Sequence, residues 1–388
     1  MSENSNSTQR KYYLDWLRVI AFYILIFYHV GMIFVPWTFH IKNNITLEWF
    51  ETWMAFLNQW RLPLLFMISG MVIYYSFGKR SAAGILAERS KRLLIPLIFG
   101  MLVIVPPQIY YERISNGIHF NNYFEFWKTI FDFVPYPEGG SLSWHHLWYI
   151  LYIFVYSIIG LPLFLFLKSS KSDKLKTKVN YLLGKKPSLI YSAILPLLIF
   201  YYSLAPIFPT THALINDWYN HSVSFTFFIL GFCISAFTGI WDAIVEKRKH
   251  SFNIALIPGL FLILFVWGPT FEIMNEDTIF FEIFYGLLKW VFTVSWLFTI
   301  LGYSKFLLNS SSKLLSYANE SVYPLYILHQ TIMIIFGYYI INFDWNVYLK
   351  FGVIVIITFG GSILFYELFI KRFNIMRLLF GMKSKVQE

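Results

Sequence analysis

The sequence is short of cysteine and of charge. Its 388 residues include one cysteine, Cys233, so no intrachain disulfide can form and neither a CxxC redox site nor a cysteine-bound zinc cluster can be built. Charged residues make up 13% of the chain, against roughly a quarter in ordinary soluble domains. With 57% hydrophobic residues and a mean hydropathy of +0.56, this excludes a soluble globular enzyme. HExxH, GxSxG and the P-loop pattern are all missing, so the sequence offers no template for a zincin, an α/β-hydrolase or a P-loop NTPase. Internal repeats and low-complexity tracts are also lacking.

Long apolar runs are what the chain has instead. A bilayer needs roughly 20 apolar residues per helical span, and ten stretches meet that need: 14–36, 54–77, 93–110, 147–167, 189–208, 223–241, 253–271, 279–302, 321–341 and 347–370. The expected fold class is an all-α polytopic transmembrane bundle. The third and fifth stretches are short and contain Pro96, Pro106, Pro107, Pro196 and Pro206, so interrupted helices are expected there. The first stretch is too long for a signal-peptide core and reads as a retained span. Residues 1–13 read as a disordered tail, 14–371 as a single membrane domain and 372–388 as a basic tail.

Charge placement sets the orientation. Lys and Arg crowd one set of loops (Arg10, Lys11; Lys79 to Arg92; the lysine-rich linker 168–188; Lys247 to Lys249; Lys305, Lys313; the C-terminal tail). The alternate loops hold only Lys42, Arg113 and Lys128. The positive-inside rule then places both termini in the cytoplasm. The same asymmetry accounts for the net charge of +10, which faces an anionic inner leaflet, so no nucleic-acid partner is invoked. The long outer segment 111–146, with its turn-rich VPYPEGGS, is placed to lie over the mouth of the bundle as a lid.

Within the first span, DWLRVIAFYILIFYHVG, Arg18 and His29 stand eleven positions apart. At about 100° and ~1.5 Å per residue, His29 returns to within roughly 20° of Arg18, some 16 Å further along the axis. Asp15 shares that side, and Phe22 and Leu25 fill the turns between. Intramembrane ionisable residues are costly and mark function by default; the plain alternative is a snorkelling arginine and a histidine hydrogen-bonded between helices.

Other polar residues invite the same two readings. Arg89 and Arg92, three apart before the third span, can fork onto phosphate oxygens or merely anchor the helix. Ser69-Gly70 permits a close approach by a helix or by a ligand chain. Arg61 needs a partner, with Glu51 and Glu48 the nearby candidates. His329 in the ninth span is either ligand-facing or a helix–helix hydrogen bond. Lys289 in the eighth span can pair with Glu282. His145-His146 opens the fourth span between Trp144 and Trp148, close to the depth of His29. Adjacent histidines point apart on a helix, so no metal site is expected.

Together these features resemble the membrane acyltransferase-3 family, and within it the branch that succinylates periplasmic glucans. The resemblance covers nearly the whole chain. It is carried by R-x10-H (Arg18, His29), RxxR (Arg89, Arg92), FxxSG (Phe66 to Gly70), HLW (His146 to Trp148) and YPxYxLH (Tyr323 to His329). The hydrolase-like extra domain of some members is lacking in this sequence. The resemblance implies an O-acyltransferase of the bacterial inner membrane that moves acetyl or succinyl from cytoplasmic acyl-CoA, a co-substrate rather than a bound cofactor, to a hydroxyl of an extracytoplasmic glycan. Arg89 and Arg92, with Ser69 and Gly70, would hold acyl-CoA. Arg18 would neutralise the same end, beside Asp15. His29 would be the general base. His146, Trp148, His329 and Lys289 would lie on the acceptor side. The partners are acyl-CoA, the glycan and membrane lipids. A glycan or lipid-linked-sugar transporter fits the same basic mouths and buried charges; a nonenzymatic scaffold explains neither arginine motif.

Overall fold

The structure, a computed structural model, describes residues 10–77, 81–137, 139–268 and 279–385. Most of the expected N-terminal tail, Lys79, Arg80, Glu138 and the last three residues of the basic tail lie outside that set. Among the described residues the fold is helical, with one isolated bridge between Pro135 and Leu142. A helix underlies each of the ten apolar stretches. Six helices are long and apolar enough to cross a membrane, or up to eight if each of two bent pairs is one span.

The principal helices are α1 (Tyr12–Gly31), α2 (Glu48–Ser76) and α3 (Ala82–Ser115), followed by a short outer helix α4 (Tyr123–Lys128). Next come α5 (Trp148–Ile159) and α6 (Leu161–Lys168), bent by 54° at Gly160. Then follow α7 (Asp173–Lys185), α8 (Ile194–Leu204), α9 (Trp218–Ala236) and α10 (Thr238–Phe265). The chain ends with α11 (Ile279–Leu307), α12 (Lys313–Ile340), α13 (Val347–Phe365) and α14 (Asn374–Leu379).

Three sequence expectations change. The linker 168–188 is largely the amphipathic helix α7. The gap expected between the sixth and seventh spans is filled by α10, because its charged stretch EKRKH consists mostly of good helix formers; the chain turns instead at Phe237, where α9 and α10 meet at 100°. The proline-rich third span does not break. It absorbs its irregularity in two π-turns, Ser90–Leu94 and Gly100–Ile104.

Packing follows the small residues. A Cβ on Gly70 would come within 1.9 Å of the Phe228 carbonyl oxygen, and one on Gly231 within 1.9 Å of that of Met67. α2 and α9 therefore cross in backbone contact, which only glycine at both positions allows. Outward, Ile98, Val103, Ile199, Ile257, Ile356 and Leu364 are exposed, the apolar surface a lipid-facing exterior requires. Polar side chains go inward instead: α12 packs against α1, α3 and α13 and buries Ser321, His329, Gln330 and Thr331.

Candidate functional site

α1 and α12 run in the same direction side by side, and they meet through polar groups at two levels. At the first, Arg18 donates to the Asn319 amide oxygen. At the second, His29 Nδ1 lies 2.7 Å from His329 Nε2, with the two rings stacked at 5.0 Å. The spacing from Asn319 to His329 is ten residues, against eleven from Arg18 to His29, so the two rods present matched polar rungs roughly 15 Å apart. Phe22 and Leu25, buried between the rungs on α1, turn inward as the sequence spacing requires. Asp15 stands 3.9 Å from Arg18 and is held more closely by Arg10 at 2.8 Å. Asn319 is therefore the nearer partner of Arg18.

Hydrogen-bond partners fix the imidazole tautomers. In a neutral ring one nitrogen donates and the other accepts. His329 Nδ1 lies 2.5 Å from the Tyr326 carbonyl oxygen, so Nδ1 carries the hydrogen and Nε2 is the acceptor. His29 Nδ1–H must then donate to His329, which leaves His29 Nε2 a lone pair with no hydrogen-bond partner among the described residues. His146 donates its Nε2–H to the Ile327 carbonyl oxygen at 3.1 Å, and its Nδ1 is buried without a partner among the described residues. The His146 and His329 rings meet edge to face at 5.1 Å. Three histidines from α1, the turn before α5 and α12 thus form one group, anchored by the Tyr326 hydroxyl on the His146 carbonyl oxygen.

An aromatic path links this group to the arginines. Tyr326 packs 5.1 Å from Phe22, 6.2 Å from Tyr149 and 6.3 Å from Tyr323. The Tyr149 hydroxyl bonds Ser69 at 2.7 Å and lies within electrostatic reach of both Arg18 and Arg89. Arg92 pairs with Glu88 at 3.3 Å, and its carbonyl oxygen accepts from Tyr323. Arg18, Arg89 and His29 are each half-buried among the helices.

Arg61 departs from the sequence expectation. Glu51 accepts from Trp37 at 2.6 Å, and no carboxylate pairs with Arg61 among the described residues. Its guanidinium lies 3.5 Å over the Tyr28 ring, beside His29 in sequence and within electrostatic reach of it. The residue is 3% exposed, and its Nε and Nη1 have no hydrogen-bond partner among the described residues. Such a group is costly to bury unless an anion compensates it.

Other expected site residues are placed elsewhere. Lys289 lies among the rings of Tyr201, Tyr285 and Trp290, and among the described residues nothing joins it to Glu282 or to the histidines. Gly70 is occupied by the α2–α9 crossing. Trp148 is buried and stacks on His212 at 4.3 Å. Within the segment 111–146 Arg113 donates to the Gly140 carbonyl oxygen at 2.6 Å, and Trp127 ties the segment to α3 through the Leu102 carbonyl oxygen at 2.8 Å.

Residues 11–367 match a family described as an acyltransferase domain. Relatives include glucans biosynthesis protein C from Escherichia coli O1:K1 and from Escherichia coli strain K12, each 23% identical over 394 residues, 99% of this chain and 98% of theirs. No solved structure matches.

Proposed function

We propose, since the chain belongs to this acyltransferase family, that it carries an acyl group across the bacterial inner membrane from cytoplasmic acyl-CoA to a hydroxyl of an extracytoplasmic glycan, with ten spans and both termini in the cytoplasm. The observation that carries the reading is the tautomer-fixed pair: His329 holds the His29 hydrogen on Nδ1, so His29 Nε2 is a ready acceptor for the proton of an alcohol. Arg89, Arg92 and Arg18 converge near Tyr149 and Tyr323, where guanidiniums suit coenzyme A phosphates. The acyl-pantetheine arm runs along Phe22, Tyr149 and Tyr326. The acceptor oxygen attacks the thioester carbonyl as His29 takes its proton; collapse of the tetrahedral intermediate expels the thiolate, which recovers that proton.

Arg61 supplies positive charge beside this centre. Its unpartnered N–H groups suit the developing oxyanion or the distal carboxylate of a succinyl group, and the name of the relatives points to a glucan as acceptor. The test is mass spectrometry of periplasmic glycans from cells expressing native protein or His29→Ala. Loss of the esters with unmodified glycan still exported supports acyl transfer. Halted export with esters intact makes the protein a transporter.

A further inference from the structure

His40, Glu112 and His145 come from three separate segments: the loop after α1, the outer end of α3 and the turn before α5. Their ligand-capable atoms all lie within 4.8 Å of one another. We propose that they form an open, three-ligand binding site for a zinc-class divalent cation at the outer rim of the histidine group.

The donor set suits such an ion. Two imidazoles and one carboxylate, with a position left open, is an arrangement that binds zinc, whereas calcium and magnesium demand oxygen-rich shells. A tetrahedral centre with bonds of 2.0–2.2 Å needs ligand atoms about 3.4 Å apart, so His145 must draw in while the direct His40–Glu112 contact opens to admit the ion. His40 Nδ1 already touches Glu112 Oε2, and the His40 and His145 rings stack at 4.6 Å. His145 Nε2 is buried with no partner among the described residues, an orphan that a metal bond would satisfy.

Each ligand is also oriented from behind, as metal ligands commonly are. Tyr136 donates to Glu112 Oε1 at 2.5 Å and Ser143 Oγ lies 2.6 Å from His145 Nδ1. The Gln330 amide nitrogen lies 3.1 Å from His40 Nε2, and with metal on His40 Nδ1 that amide turns its oxygen to accept the Nε2–H. Because His145 precedes His146, a cation here would clip the loop after α1, α3 and the turn before α5 together beside the imidazole pair. The site does not depend on the acyl-transfer reading.

Sequence reasoning could not assemble it, since 72 residues separate the first two ligands and no short motif joins them. The experiment is metal analysis of the full chain purified in detergent and equilibrated with micromolar zinc. The expected result is about one zinc per chain, falling at least tenfold in His40→Ala, Glu112→Gln and His145→Ala but unchanged in the outer-loop control His119→Ala. Absence of zinc in the native protein, or retention in all three variants, overturns the proposal. Cobalt titration of the native protein gives a second readout that needs no variant to fold. Tetrahedral visible bands, displaced by zinc but not by calcium, support the site; their absence overturns it.

Discussion

At the scale of single residues, the strongest expectation concerns the neighbour of the base rather than the base itself. His329→Ala removes the acceptor that holds the His29 hydrogen on Nδ1, so His29 samples both tautomers. Acyl transfer should fall by about 10²-fold, within the range that a general base contributes. His329→Gln can present an amide oxygen to the same hydrogen and should recover part of the rate. Single-turnover transfer from acyl-CoA separates the two, whereas a purely structural histidine would give equal losses. Arg61 makes a second case. Arg61→Met should cost about 10²-fold in transfer, and Arg61→Lys should not restore it, because a point charge lacks the planar fork over Tyr28. Arg18 and His29 were legible as one face of one helix because helical periodicity is a local property. Arg61 was legible only as a residue in need of a partner: what surrounds it is decided by Tyr28 and Asn58, while Glu51 accepts from Trp37 and Glu48 is exposed. Asn319 left a trace that could have been found, its ten-residue spacing from His329.

At the scale of elements, the crossing of α2 and α9 makes a sharp prediction. Gly70→Ala must force the backbones apart and should destabilise the protein by about 1–3 kcal/mol, read as a lower thermal midpoint in detergent, with Ser69→Ala much milder. The loop between α1 and α2 offers a pH test. Lys42 donates to the Met32 and Val35 carbonyl oxygens, and partial burial lowers its pKa from 10.5 to about 8. The unfolded chain therefore takes up this proton first as pH falls through 10.5. Stability should decline from pH 10.5 to about 8 and level off below that, once both forms are protonated. Lys42→Met should flatten that part of the profile in thermal scans across this range. The helices under the apolar runs were readable, since runs of this length leave few alternatives, whereas α7 in the lysine-rich linker carried no such run. The π-turns of α3 and the fold of α10 were not, because prolines and charges state where a helix is stressed but not how neighbouring helices relieve the stress.

At the scale of the whole molecule, the loop charges predict the orientation. Cysteines introduced singly at Ser310 and Asn116, in a Cys233→Ser background, should react with membrane-impermeant maleimide from opposite sides of right-side-out vesicles; labelling of both from one side would refute ten spans with cytoplasmic termini. α12 has a hinge of its own. Asn319, Tyr323, Tyr326 and His329 are all borne by one helix with Pro324 in its interior, a gap in the backbone hydrogen-bond ladder that gives the two polar levels a point at which to pivot. Under the proposed reaction, a donor docked at the arginine level is therefore coupled to the imidazoles some 15 Å away through a hinged helix, and Pro324→Ala should change that coupling while leaving both polar levels in place.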